Sequence, residues 1–475
     1  MPPASSPGLD DRLARVRFRR ALTLLVMTLF APGSAQLVAG RKDVGRIALR
    51  IWVGLVGTVL ALLLLGYVWH SFVFWFLSNT FVLGVIRAVL MALAIGWGLL
   101  LVDAWRLGQP LEMRQKQRLV MVGVNGLMCF SVASTLLFAS HVVGVQRDFI
   151  ATMFGGGVVT DAEQGRYNVL LLGGDSGAGR WGLRPDSITV ASIDEETGHT
   201  VLLGLPRNMA NFPFPEGSTM HERFPDGFNC DGCYLNGLST WAIDNPGVFK
   251  KYDDPGIEAT IEGVEGITGL SINYHAMVNL KGFRSLVDAA GGVELNVRDR
   301  IPIGSGANVT GYIEPGVQRL DGYETLWFAR SREGADDYSR MARQKCVMSA
   351  MLEQLSPQVV VTNFRRIAKA SEEVISTDLP ASELDRFMEL ALKAKAQPVA
   401  TVSFVPPMVN TAEPDVGAIQ DRVQAAIDKS SARGEDVAGP KHRRSRPAGA
   451  TTGGSIGSLA KGYAANDAAD LSSAC

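Results

Sequence analysis

The sequence has almost no net charge: 46 Lys and Arg stand against 47 Asp and Glu, for a balance of −1. That removes a whole-chain case for nucleic-acid binding, which needs a basic surplus. Cysteine is scarce, five in 475 residues, and the one CxxC, Cys230 and Cys233 in FNCDGCY, has no second CxxC or close His pair to complete a zinc site. If this region is exported, a small local disulfide is the better reading. Internal repeats are absent. Long apolar runs are confined to the first third of the chain, so whatever contacts a membrane sits there.

Three runs in that first third are long enough to cross a bilayer: 51–69, 81–102 and 119–140. The first and third contain no charge, and Arg87 in the second lies close enough to one end to snorkel. Lys and Arg are plentiful at 41–50 and 106–118 and missing from 70–80. The alternation orients the spans inside, outside, inside, outside, and places everything after about 141 outside the cytoplasm. An earlier run, 21–39, is broken by Pro32 and Gly33 and has basic residues on both sides. It reads as a re-entrant or interfacial segment that also mimics a signal peptide. No span carries a proton-relay pattern, so residues 1–150 are expected to anchor the chain.

From 151 to about 430 the pattern becomes that of a soluble domain. Strand-like runs at 167–173, 187–193, 200–205, 274–280, 293–297 and 399–405 interleave with helix-like segments at 257–268, 281–290, 340–355, 359–375 and 381–396. This predicts a three-layer α/β/α domain preceded by an all-α transmembrane region. Residues 431–475 are rich in small and polar types and are expected to be a disordered tail.

Two stretches concentrate chemistry. In 168–194 Asp175, Arg184 and Asp186 sit at the adjacent ends of two predicted strands, where carboxylates can hold a hard cation and an Arg can clamp phosphate; the same Gly, Asp and Ser are also turn formers. In 328–344, FARSREGADDYSRMARQ, Arg330 and Arg332 are two apart and share a side if extended. If a helix starts near Asp337, then Asp337, Arg340 and Gln344 share a face at its N-terminal end, and Arg343 falls off it. Converging guanidiniums beside a helix start suit a diphosphate. Arg207 in LPRN lies at another strand end. Asn236 is either a polar contact or a helix cap.

These motifs, LLLGGDS, RPDSITVASID, LPRN, LN, VNLKGFRSLVDAAGGVELNV and LDGYETLWFARSR…DYSRMARQ, occur in the order seen in the LytR–CpsA–Psr family of cell-wall glycopolymer transferases, which the chain resembles over about 165–405. The multi-span N-terminus resembles actinobacterial members. The resemblance implies transfer of a phosphoglycosyl polymer from a polyprenyl diphosphate carrier to a peptidoglycan hydroxyl, releasing polyprenyl phosphate, by a multi-pass protein whose catalytic domain is extracellular. It implies Mg²⁺, or Mn²⁺ in its place, on Asp175 and Asp186. It implies a diphosphate-binding set of Arg184, Arg207, Arg330, Arg332, Arg340 and Gln344, with Asp337 as the acid near the phosphates and a candidate base. The chain departs from the family pattern at Gly177, Pro185 and Asn208. Three rivals belong to other classes: a diphosphate hydrolase, a non-catalytic membrane regulator and a lipid-binding module.

Overall fold

The computed structural model describes residues 7–68, 70–154, 157–175, 184–331, 336–354, 375–435 and 469–471. The chain divides into two compact units, Met1–Ala151 and Thr152–Cys475.

The first unit is helical: α1 (Pro7–Phe30), α2 (Ser34–Val38), α3 (Lys42–Val68), α4 (His70–Ser78), α5 (Thr80–Leu107) and α6 (Gln115–Met153). Three of its segments, Lys42–Val68, Thr80–Glu112 and Gln115–Thr152, are long and apolar enough to cross a membrane. Residues 21–39 do not form one helix. They break at Gly33, whose φ of 94° is cheap only without a Cβ, and an added Cβ would lie 2.6 Å from the Gly45 carbonyl oxygen. The chain then doubles back along α5. The Trp97 indole donates to the Thr28 carbonyl (2.9 Å), and the Gln36 amide donates to the Leu100 carbonyl (3.0 Å) and to Asp103 (3.3 Å). Arg41 pairs with the same Asp103.

The second unit is built on a six-stranded mixed sheet. In chain order its elements begin with β1 (Arg166–Asp175), β2 (Arg184–Asp194), β3 (Thr200–Leu205), α7 (Thr219–Arg223), α8 (Leu238–Asp244), α9 (Pro255–Thr268), β4 (Tyr274–Asn279) and α10 (Leu280–Ala289). Then come β5 (Val293–Val297), β6 (Ile301–Ile303), β7 (Gly311–Ile313), β8 (Gly316–Leu320), α11 (Gly322–Arg330) and α12 (Asp337–Gln354). The last are β9 (Ile375–Thr377), α13 (Leu384–Lys395), β10 (Ala400–Ser403) and α14 (Val416–Glu435). The strand order is β10-β3-β2-β1-β4-β9, with β1 parallel to β4, β3 parallel to β10 and the other neighbours antiparallel.

Alternation along the strands sends residues to two buried faces. Leu170, Leu172, Val190, Val201 and Leu203 pack with Phe212, Leu238, Val264 and Ile419 on one face. On the other, Ala191 and Leu202 meet Met348 and Leu352 of α12, and Tyr167 and Tyr274 meet Phe387 and Leu390 of α13. The result is the expected three-layer α/β/α arrangement. Local chemistry sets the helix ends: Asp254 caps α9 ahead of Pro255 and Gly269 closes it, and Asp321 and Glu324 form a capping box on α11.

Two expectations change. Strand 293–297 stands outside the main sheet, as β5 pairs only with β8, and this small sheet packs with Phe328 and Val347 as a satellite core. The boundary expected at 431 falls inside α14, and residues 469–471 are not disordered but lie along β10, where Leu471 is buried. Composition misses both, because one apolar side chain and a pair of backbone bonds suffice to order a short edge segment. The helix expected at 359–375 lies outside the described residues, apart from Ile375, which opens β9.

On α9, burial pushes the Glu258 carboxyl up to about 7, with Glu262 and Glu265 on the same face adding repulsion. Its folded pKa lies above the ordinary 4.5, so the native state binds more protons than the unfolded one between those values and stability falls as pH rises through that window. The thermal midpoint is therefore expected to drop from below pH 4.5 to above pH 7, and Glu258→Gln should flatten that drop in a melting series across pH.

Candidate functional site

Four charged side chains from three elements meet at one end of the sheet. Arg207 follows β3 directly. Its Nε donates to Asp337 Oδ2 (2.7 Å) and its Nη2 to Asp337 Oδ1 (3.3 Å), while its Nη1 donates to Asp186 Oδ1 (2.5 Å). Arg340, 3% exposed, lies 3.8 Å from Asp186 and 3.7 Å from Asp337. Burial pulls the Arg207 guanidinium down, but its hydrogen bonds to Asp337 and Asp186 outweigh that and hold it above its ordinary value. It stays a fixed cation.

Each member has a local reason to be there. The pairing of β1 with β2 slips between Gly173 and Gly174: Gly173 faces Ser187 and Gly174 faces Pro185, so Asp186 is the extra residue of a bulge. A bulge re-aims its side chain, and here the carboxylate turns toward Arg207. Asp336 caps α12 by accepting the Ser339 N–H (2.7 Å), which fixes the helix start so that Asp337 and Arg340 fall one turn apart on the site face. From Asp186 a cleft of about 40 Å³ runs under α12, floored by Ser187, Thr189, Leu202 and Gly204 and roofed by Met341, Gln344 and Met348.

The structure thus brings together Asp186, Arg207, Asp337 and Arg340, with Gln344 on the same cleft. Arg184 opens β2 and donates to Asn236 Oδ1 (3.2 Å), whose own N–H donates to the Arg207 carbonyl (3.0 Å). Asn236 is therefore a link between two arginines and not a helix cap, and it belongs with the site. The disulfide Cys230–Cys233 closes the turn just before it. Arg330 is not in an extended segment: it is the last residue of α11, exposed, with its guanidinium 5.2 Å from the Trp327 ring centre. Helix propagation from the capping box carries through it. Arg332 and the Asp175 side chain lie outside the described residues; the Asp175 backbone pairs with Arg184 at the end of β1.

One further arginine was set aside by helical spacing. Arg343 faces away from the cleft and is fully buried, donating from Nε to the Phe328 carbonyl (2.7 Å) and from Nη2 to the Ser331 carbonyl. It pins the end of α11, and hence the start of the segment carrying Arg332, to α12. Spacing predicts which way it points and not what it meets.

Among the described residues no three His, Cys, Asp or Glu side chains cluster as a metal cage. Asp175 and Asp186 are of the donor type that Mg²⁺ takes. That ion is commonly held by one or two carboxylates, with water and substrate phosphate completing its shell, and Asp175 and Asp186 end two paired strands.

A family model described as the LytR_cpsA_psr family matches residues 145–427, more than half of the chain. The chain is 30% identical over 270 residues to the probable cell wall biosynthesis protein LcpB of Corynebacterium glutamicum, covering 56% of this chain and 56% of that protein. It is 27% identical over 230 residues to the polyisoprenyl-teichoic acid–peptidoglycan teichoic acid transferase TagU of Oceanobacillus iheyensis, covering 48% of this chain and 63% of that one. The matched region therefore spans under two thirds of either relative. Among solved structures, Bacillus subtilis TagV aligns over 56% of this chain and 98% of its own, at 20% identity and a TM-score of 0.41.

Proposed function

The chain belongs to the LytR_cpsA_psr family, and from that membership we propose that it transfers a phosphoglycosyl polymer from a polyprenyl diphosphate carrier to a peptidoglycan hydroxyl outside the membrane. The observation that carries this reading is the quartet Asp186, Arg207, Asp337 and Arg340 at the head of a cleft under α12. Two permanent cations held by two acids form a preorganised anion site, and a narrow cleft adjoins them under α12. The Lys and Arg asymmetry of the short loops supports an outside location, and the relative TagU is a polyisoprenyl-teichoic acid–peptidoglycan teichoic acid transferase.

In the proposed reaction the acceptor oxygen forms a bond to the phosphorus that carries the glycan. The bond from that phosphorus to the bridging oxygen breaks, polyprenyl phosphate leaves with the electron pair, and the acceptor's hydroxyl proton passes to that leaving phosphate or to water. Arg207 and Arg340 take up the charge that gathers on the leaving phosphate. Arg184, Arg330, Arg332 and Gln344 complete the proposed diphosphate set. Asp337 has both oxygens accepting from Arg207, so its proposed part is to hold that guanidinium and not to act as a base. Asp175 and Asp186 would hold Mg²⁺ or Mn²⁺, which when bound supplies further positive charge beside the diphosphate.

The test is transfer by the purified full chain from a synthetic polyprenyl-diphosphate glycan to peptidoglycan, with and without Mg²⁺. The expected result is metal-dependent attachment. Release of product at the same rate without acceptor would favour the hydrolase, and no turnover of any offered donor would sink both enzymatic readings.

A further inference from the structure

In the first unit, two arginines at neighbouring ends of α5 and α6 lie across each other's helix. The Arg87 guanidinium of α5 rests on Gly144 of α6, where an added Cβ would lie 3.2 Å from its Cζ. Arg147 of α6 rests on Gly84 of α5, where an added Cβ would lie 3.7 Å from its Nε. Two hydrogen bonds hold this register: the Ser140 hydroxyl donates to the Arg87 carbonyl (3.4 Å), and the Gln146 amide donates to the Leu77 carbonyl (2.7 Å). Residues 84 and 87 are three apart and share a face of α5, as 144 and 147 share a face of α6. The two guanidiniums are therefore about 4.5 Å apart along the helix axes. Among the described residues neither has a hydrogen-bond or ion-pair partner. The acid next in sequence, Asp148, points about 100° away from Arg147 around α6. Deeper along the same two faces lie Met91 and Leu137, both exposed.

We infer that Arg87 and Arg147 form a clamp for the phosphate head of a membrane lipid, one whose head carries two negative charges. Two guanidiniums this close repel each other, and the described residues bring neither of them a counter-charge. A dianionic head between them relieves both at once, whereas a singly charged head leaves one cation over. Guanidiniums suit the task because their planar forks match phosphate oxygens. In the orientation given by the short loops the pair lies toward the outer surface, about 10 Å along α5 from its start at Thr80. Met91 and Leu137 then offer the lipid's chain an apolar path below the head. An arginine that only snorkels turns along its own helix toward water, but Arg87 lies across the seam on Gly144. Two lipid heads have this chemistry, the phosphomonoester of a prenyl phosphate and the paired phosphodiesters of cardiolipin.

The test uses the full chain in detergent micelles, titrated with prenyl phosphate, cardiolipin, phosphatidylglycerol or phosphatidylcholine, with bound lipids counted by native mass spectrometry. The wild type is expected to hold one more two-charge lipid than the double variant Arg87→Gln, Arg147→Gln. Each single change should weaken that lipid about tenfold, the loss of one charge-assisted contact. A loss confined to prenyl phosphate or to cardiolipin identifies the source of the head. An equal loss of phosphatidylglycerol overturns the two-charge head, and an unchanged count and affinity overturns the clamp. A photoreactive group beside the phosphate of either two-charge lipid should label 84–91 or 137–147 in the wild type, a readout that needs no variant to fold. Labelling only elsewhere overturns the clamp as well. The quartet, as proposed, also takes a prenyl phosphate, so the readout is the difference of one lipid between wild type and variant. That difference persists if the quartet reading fails, and glycan transfer persists if the clamp fails.

Discussion

Arg207→Ala is expected to lower the turnover of glycan transfer by roughly 10²–10³-fold, the usual loss on removing one preorganised donor to developing charge, with the domain still folded. Arg207 sits at the end of the sheet, outside the apolar cores, and its side chain is 19% exposed. Its partners lie 21 residues before it and 130 after it. Without it Asp186 and Asp337 lose their shortest ion pairs, and the two carboxylates then face an incoming diphosphate less compensated, so KM should rise as kcat falls. Arg207→Lys is not expected to rescue activity, because a single ammonium cannot bridge a two-point contact to Asp337 and a second contact to Asp186. Steady-state kinetics beside a thermal melt check both halves. A variant that transfers normally would remove Arg207 from the reaction.

Arg343→Met should have the opposite profile, a large loss of stability arising away from the cleft. Arg343 is 0% exposed, and burial, followed by repulsion from Arg340, pushes its guanidinium down to about 10. It remains charged at neutral pH. The Met side chain fills the space but leaves the Phe328 and Ser331 carbonyls without their donor, at about 1–3 kcal/mol each. The melting temperature of the full chain should fall sharply. Activity should fall with it even below the new midpoint, because the segment after Ser331 carries Arg332. A melt unchanged from wild type would show that these carbonyls find other donors.

The two arginines also mark how far sequence reasoning reaches. Arg207 was identifiable because LPRN ends a β-branched and leucine-rich run, and a strand end is where a sheet presents chemistry. Arg343 was read correctly as lying off the site face, but the carbonyls it serves belong to α11, and no spacing rule connects a helix to the end of the previous one. Asn236 offered two equal readings in sequence, and the hydrogen bond from Arg184 decides between them. The spacing of Arg330 to Arg332 puts both on one side only in an extended chain, and the capping box at Asp321 starts a helix that runs through Arg330.

By itself the sequence determined what depends on neighbouring residues: three apolar helices, two buried strands feeding charged ends, and an α12 that starts at Asp337. Tertiary structure alone decided which charges meet. A one-residue bulge opposite Gly173 and Gly174 turns Asp186 toward Arg207, and the packing of α12 over β2 and β3 brings residues 207 and 337 within hydrogen-bonding distance. Local patterns record the direction of a side chain relative to its own backbone. The identity of the group it meets depends on how distant segments pack, and that information is spread over the whole core.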